Sequence, residues 1–408
     1  MSLARRAFLA STIAAVAAPA VLRLARGEAA PLTLKLHHFF SSVAGAHARF
    51  LAPWARKVEA DSAGRIRIDI FPSMQLGGAP AQLFDQARDA LADIVFAAPS
   101  RTPGRFPKIE VFELPFVPSR RALVNSRAIE DYAAANLKDE FRDIHPICFS
   151  CRDGAVLHAK RAIASLADLK GLRLHVPSPF AADTAHALGA HGVVMPSPQV
   201  PIALAEHVID GCLDPWDALP SLRLYDSLKA HTDFADGSLS TTTFVLAMNK
   251  AAYGRLGGEL KAAIDANSGQ PAAGMAGAMW DADAAAVAAI VRERGDTVAM
   301  LPAEELARWR RQTEPVIAAW LKQMRGRRID GHKLHAAALA LVEKYANEPE
   351  QPPPAPRSAP RAAVAAQPQR ASQVKTADPP PAKPAAAPVP PAAPTSKPAP
   401  LKVLEIPM

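Results

Sequence analysis

Between residues 33 and 97 the hydrophobic period switches back and forth between two and 3.6, and this alternation is the strongest constraint on the fold. Thr33 to Phe39 partly alternates and is rich in Leu and aromatics, which predicts a strand. Phe50, Leu51, Trp54 and Val58 then recur at helical spacing, and Gly64 closes that helix as a plausible C′ residue. Ile66, Ile68 and Ile70 alternate with charged residues in a second strand, Ala81 to Ala90 is helical, and Asp93 to Ala97 is a short apolar strand. An order of β-α-β-α-β predicts a mostly parallel sheet covered by helices. The pattern restarts at Arg173-Leu174-His175-Val176, followed by a helix from about Ala181 to Leu188, a strand at Val193 to Met195, a helix at Val200 to Glu206, and a strand entered through Val208 to Leu213. Phe244 to Met248 is a further strand, and Pro271 opens a long Ala-rich helix to about Arg294. The expectation is α/β: two lobes with a helical C-terminal third.

Proline sets where folding stops. Of 39 Pro in 408 residues, 17 lie between Gln351 and Met408, beside 15 Ala. Pro lacks a backbone donor, and the segment has almost no large apolar side chains, so it cannot build a core. The foldable part is expected to end near Asn347. The formal charge of +8 resolves in the same way: the first 30 residues carry four Arg and one Glu, and the last 58 carry seven Lys or Arg and two acids, which leaves residues 31–350 without net charge. The basic surplus that would suggest a nucleic-acid partner is therefore absent from the folding part.

The start resembles an export signal. Arg5 and Arg6 precede an apolar run from Ala7 to Leu22, short of the ~20 residues of a membrane span, and the small residues Gly27, Ala29 and Ala30 follow. Ala4-Arg5-Arg6-Ala7-Phe8-Leu9 is similar to a twin-arginine signal; an ordinary secretory signal is the alternative. Residues 1–30 are thus expected to be removed, with no later stretch long and apolar enough to span a bilayer, and so no stable membrane insertion of the mature chain.

Catalytic and cofactor signatures are missing: there is no G-x-G-x-x-G, Walker loop, H-E-x-x-H or G-x-S-x-G. Cys148 and Cys151 have C-x-x-C spacing but lie on an expected strand, where i and i+3 face opposite sides, so they are expected to be half-buried structural thiols rather than a redox pair. Adjacent His37 and His38 face opposite ways on a strand, and His332 and His335 lack a third ligand nearby, so neither metal nor cofactor is expected.

Five phrases in order carry a resemblance. They are Met74-Gln75-Leu76-Gly77-Gly78, Phe112-Glu113-Leu114-Pro115-Phe116, the run Asp168 to Pro177, Val208-Ile209-Asp210-Gly211 leading to Asp214-Pro215-Trp216, and Met248-Asn249-Lys250. Together, from about residue 32 to 345, the chain resembles the solute-binding subunit of a tripartite ATP-independent periplasmic (TRAP) transporter, of the DctP type. The resemblance implies a Venus-flytrap architecture braced by a long helix. Lobe I would comprise 31–152 plus 245–280, and lobe II 153–244 plus 281–347, ahead of a Pro/Ala-rich tail over 348–408. It also implies a non-enzymatic periplasmic protein that captures a small organic solute, organic acids being the family class, and delivers it to the small and large membrane subunits of a TRAP permease.

The departures are informative. Where the family carries an Arg that clamps the ligand carboxylate with two parallel N–H bonds, this chain has His175, and Asp214 adds a negative charge nearby. Arg152 or Arg101 could take over the clamp. Strand ends add the cleft candidates Phe39, Phe40, Ala98, Pro99, Trp216 and Phe244, since open α/β sheets bind at their carboxyl edges. The expected ligand is neutral, zwitterionic or a monocarboxylate held more weakly as pH rises through the His titration, with dicarboxylates disfavoured. The rival from another class is a secreted α/β enzyme using His175 as base and Asp214 as its orienter.

The tail is expected to be a dispensable, extended segment rather than a tether or spacer. Deleting residues 351–408 should leave the melting temperature and solute affinity unchanged, and a drop in either would assign the tail to the functional body.

Overall fold

The structure, a computed structural model, describes residues 30–349. The leader over 1–30 and the tail over 348–408 therefore lie, apart from their innermost residues, outside the described residues.

Two sheets organise the chain. Strands β1 (Leu32–His38), β2 (Ile66–Phe71), β3 (Ile94–Ala97), β4 (Ile144–Cys151) and β10 (Thr243–Asn249) form the first, in the order β2-β1-β3-β10-β4. β1 pairs parallel with β2 and β3, as the β-α-β alternation requires, while β10 runs antiparallel between β3 and β4. Strands β5 (Val156–Ala159), β6 (Arg173–Val176), β7 (His191–Val194), β8 (Gly211–Asp214), β9 (Ala230–Asp233) and β11 (Thr297–Met300) form the second, in the order β11-β9-β5-β8-β6-β7.

The chain crosses between the sheets at Arg152–Ala155, again between β9 and β10, and along the helix Gln270–Glu293. That helix has 24 residues, about 36 Å at 1.5 Å per residue. Ala272, Ala273, Ala276 and Trp280 join the core of the first sheet, and Val287, Ala288 and Val291 join a core under the second. Its length and composition also suffice, by those criteria alone, for a membrane span over Gly258–Glu293. This corrects the expectation that no such stretch follows the leader; the reason is its Ala content, which here packs against both cores.

Several elements were not foreseen. The helix Ala122–Asn136 buries Asn125 and Ser126 beside Val124, Ala128, Ile129 and Tyr132, so its inward faces carry no clean apolar stripe. Asn125 Nδ2 donates to the carbonyls of Ser119 and Arg152, and Ser126 Oγ donates to that of Cys151, which satisfies them. β5 and β9, four residues each, also fell below a periodic signal. Residues 281–347 were expected in the second lobe. Instead, Trp320, Met324, Leu334, Ala338, Val342 and Tyr345 pack into a core on the first sheet with Ile129, Tyr132 and Val245. The helix Ala303–Gly326 buries one stripe from Leu306 to Met324, whose first residues meet the second sheet's core and whose last meet the first's. Periodicity reveals such a stripe but not what receives it.

Helix Gln270–Glu293 and helix Ala122–Asn136 cross closely at Gly277, where a Cβ would stand 2.6 Å from Leu123 Cα and 2.8 Å from Ala122 O. One turn on, the Asp281 carboxylate accepts from the backbone N–H of Ala122 (2.6 Å) and Leu123 (3.0 Å), capping the second helix. Because the obstructing atoms are backbone, Gly277→Ala should destabilise the fold by about 1–3 kcal/mol in urea unfolding; an unchanged midpoint would show that the crossing is loose.

Candidate functional site

The carboxyl ends of β1, β3, β6 and β8, with the crossing after β4, bring the predicted residues to one region. After β1, the Phe39 and Phe40 rings stack at 4.3 Å, both half-buried. Behind Phe40 lie Phe96 (6.0 Å), Phe244 (5.8 Å) and Trp280 (5.9 Å), all fully buried, with Phe96 and Phe244 stacked at 4.9 Å. Phe244 is thus placed in the layer behind the half-exposed rings, and Pro99 is buried as well. Trp216, just beyond β8, is buried against the rings of His158 (5.3 Å) and His231 (5.4 Å).

His175 and Asp214 meet. β6 and β8 are parallel neighbours with His175 opposite Cys212, and His175 Nδ1 lies 2.7 Å from Asp214 Oδ2. Both are buried, at 3% and 6% exposure. Burial opposes charge on the imidazole, but the Asp214 carboxylate and its hydrogen bond, with a further bond to the Met195 backbone, outweigh it and raise the His175 pKa. Nδ1 is thus committed to the Asp214 carboxylate. His175 and Asp214 form a self-neutralising buried pair.

Arg152, at the crossing after β4, pairs with Asp217 beyond β8 and lays its guanidinium 4.5 Å above the Trp280 ring. Trp280 and Asp283 are one turn apart on the bracing helix, and Asp283 pairs with Arg49 from the segment after β1. Arg120 pairs with Asp233 and donates to the carbonyl of Phe234 (2.7 Å), tying the loop ahead of helix Ala122–Asn136 to the end of β9.

Arg101 differs. It follows β3 and stands 5.6 Å over the Phe39 ring, and its guanidinium makes no hydrogen bond or ion pair among the described residues. It is exposed to solvent, yet the surrounding protein desolvates it and lowers its pKa, against the attraction of Asp214 and Glu113. Sequence reasoning named Arg101 only as a substitute clamp, and it missed Asp217, Asp283 and Trp280, which surround Arg152.

Other motif residues are structural. His37 Nδ1 bonds to Gln86 Oε1 (2.7 Å) and its Nε2 accepts from Leu76 N (3.3 Å), so the Met74 to Gly78 turn wraps a core imidazole. Cys148 and Cys151 are fully buried rather than half-buried, because both faces of β4 are covered, and burial drives their thiol pKa values far up. Glu113 lies in the Phe112 to Phe116 phrase. Its Oε1 accepts from Thr243 N (3.2 Å) and Oγ1 (2.9 Å), tying that phrase to the start of β10. Burial raises its pKa to about 7.

A carboxyl whose folded pKa lies above its unfolded value contributes stability below the unfolded pKa, near 4.5, and loses it as pH rises through 7. Glu113→Gln keeps an acceptor for Thr243 but cannot ionise. Its stability relative to wild type should therefore climb between pH 4.5 and pH 8, by on the order of 3 kcal/mol, in denaturant titrations; a flat difference would show that Glu113 titrates normally.

Comparison with known proteins gives the family. The family model for bacterial extracellular solute-binding protein, family 7 (DctP), matches residues 41–323. A TRAP solute-binding protein from Rhodoferax ferrireducens T118, solved with copurified benzoate, is 39% identical, with a TM-score of 0.73 over 77% of this chain and 98% of its own. A marine metagenome TRAP solute-binding protein specific for aromatic acid ligands, with 3-hydroxybenzoate, is 38% identical (TM-score 0.74; 77% and 99% covered). A Bordetella bronchiseptica protein with bound (R)- and (S)-mandelate is 26% identical (TM-score 0.70; 77% and 99%). Among curated relatives, an uncharacterized protein of Sinorhizobium fredii is 28% identical over 264 residues, 63% of this chain, and a solute-binding protein of Roseobacter denitrificans 26% over 211 residues, 50% of this chain; the chain spans 47% and 62% of their respective lengths. These likenesses favour the solute-binding expectation over the enzyme alternative. The chain belongs to the DctP family of bacterial extracellular solute-binding proteins.

Proposed function

We propose that this protein captures an aromatic monocarboxylate in the cleft between its two sheets and delivers it, in the periplasm, to the small and large membrane subunits of a TRAP permease. Export would use the leader, by the twin-arginine or the general secretory route. The single observation that carries the reading is Arg101, a guanidinium without a carboxylate partner among the described residues, standing over the half-exposed Phe39 ring. A carboxylate takes the guanidinium, and an aromatic ring extends along Phe39 and Phe40. Benzoate, 3-hydroxybenzoate and mandelate in the relatives have this chemistry.

Each predicted site residue has a role in this reading. Arg152, held by Asp217 and Trp280, adds positive potential to the floor. Pro99, Phe244 and Trp216 back the walls. His175 and Asp214 replace a fixed cation with a neutral pair, so a second carboxylate finds Asp214 rather than a guanidinium. As pH rises through its raised pKa, His175 loses its proton and leaves Asp214 uncompensated, which repels an anion.

Calorimetry of the mature protein at pH 5.5 and 8 tests this. Benzoate or 3-hydroxybenzoate should bind more tightly than succinate or malate, and more tightly at the lower pH. Arg101→Met should weaken benzoate roughly 10-fold to 100-fold, the value of a charge-assisted bond, while His175→Arg should improve succinate. Tight, pH-independent succinate binding, or an Arg101→Met variant with wild-type affinity for benzoate, would overturn the reading.

A further inference from the structure

Behind the cleft, the second sheet buries two imidazoles in contact. His158 on β5 and His231 on β9 stand opposite one another across the sheet, Nδ1 to Nδ1 at 2.8 Å, and neither is more than 1% exposed. At one end, His158 Nε2 lies 3.1 Å from the carbonyl oxygen of Asp214, the residue whose carboxylate holds His175. At the other, His231 Nε2 lies 3.8 Å from Asp296 Oδ2, and these two buried atoms have no hydrogen-bond partner among the described residues.

Counting protons gives the array a direction. A carbonyl oxygen only accepts, so His158 Nε2 carries a hydrogen. The Nδ1–Nδ1 contact holds one hydrogen: two would collide, and none would oppose two lone pairs. If both rings are neutral, that hydrogen is on His231, and its bare Nε2 faces a carboxylate. The reverse tautomers would set a His158 lone pair against the Asp214 carbonyl at the shorter distance of 3.1 Å. Two neutral imidazoles supply two hydrogens, which serve the Nδ1–Nδ1 and Asp214 contacts and leave a lone pair on His231 Nε2 beside the Asp296 carboxylate. A third, on His231 Nε2, turns the orphaned facing atoms into an ion pair at 3.8 Å.

We propose that the His158–His231 pair is a buried proton-binding site, closed by Asp296, that positions Asp214 from the far side of the sheet and so adjusts the charge of the cleft. Its effect on solute rests on the cleft reading above; the proton site itself does not. The groups facing the pair are Asp296 ahead of β11, Lys229 beside β9 (3.3 Å from Asp296 Oδ1), Arg294 after the bracing helix (3.9 Å from Asp296 Oδ2), and Asp214 and Cys212 on β8. Burial opposes the added charge and lowers the His231 pKa despite Asp296, while Lys229 opposes it further, so the proton is taken up below the ordinary histidine range. The resulting positive charge behind Asp214 favours an anion in the cleft, and affinity rises as pH falls. Asp296→Asn separates this from His175, which it leaves with Asp214.

The test is two-bond proton–nitrogen NMR of the histidine rings in the full chain without solute, paired with benzoate calorimetry from pH 5 to 8. Above pH 7.5, His158 should be the Nε2–H tautomer and His231 the Nδ1–H tautomer. On acidification His231 should gain its second proton, and Asp296→Asn should move that step to lower pH. The gain in benzoate affinity at low pH should be about fivefold smaller in this variant, a coupling of ordinary size. A Nδ1–H tautomer at His158, or a His231 step that Asp296→Asn does not move, would overturn the proposal. A wild type that ignores benzoate overturns the cleft reading alone, because the ring tautomers still decide the proton site.

Discussion

The arrangement of the cleft depends on one helix, Gln270–Glu293, whose two halves are buried in different cores. Its first half packs small residues against the first sheet and crosses helix Ala122–Asn136 at the backbone contact of Gly277. Its second half inserts Val287, Ala288 and Val291 under the second sheet. Trp280 and Asp283, one turn apart, project from the middle of this brace. The stacking of Arg152 on Trp280 and the pairing of Arg49 with Asp283 therefore refer the cleft to an element that both cores hold. A continuous helix between two bodies restricts their relative motion to bending and rotation about a few crossing residues, the geometry of hinge closure.

Around that brace, charge is organised by pairing across segments. Arg49 takes Asp283, Arg120 takes Asp233, Arg152 takes Asp217 and His175 takes Asp214. Each pair lies partly or wholly out of water, where an isolated ion would be strongly destabilising. Two of them, Arg120–Asp233 and Arg152–Asp217, join residues flanking different sheets, so they also fix how the crossings sit. Against this background Arg101 stands out, since its guanidinium has no carboxylate partner among the described residues and is the cation that the proposed reading gives to the ligand.

Much of the fold was legible. Ile66, Ile68 and Ile70 alternating with charge defined β2, Pro271 marked the start of the brace, and the strand at Cys148 to Cys151 removed the redox reading of C-x-x-C. Helix Ala122–Asn136 was not, because buried Asn125 and Ser126 break its stripe and their partners are distant carbonyls. Phe244 and Trp216 were legible as aromatics at strand ends, but the depth at which each lies depends on the layers packed in front of them.

The sequence by itself determined the α/β class and the family. These rest on local period, composition and short phrases, which act over a few residues. Only the tertiary structure decided that His175 and Asp214, 39 residues apart, bond; that His158 and His231, 73 apart, share a contact; and that Arg101 has no carboxylate partner among the described residues. The physical reason is sheet order. β8 lies between β5 and β6, and β5 between β8 and β9, so the neighbours that set each side chain's charge are chosen by strand pairing across the chain rather than by adjacency along it.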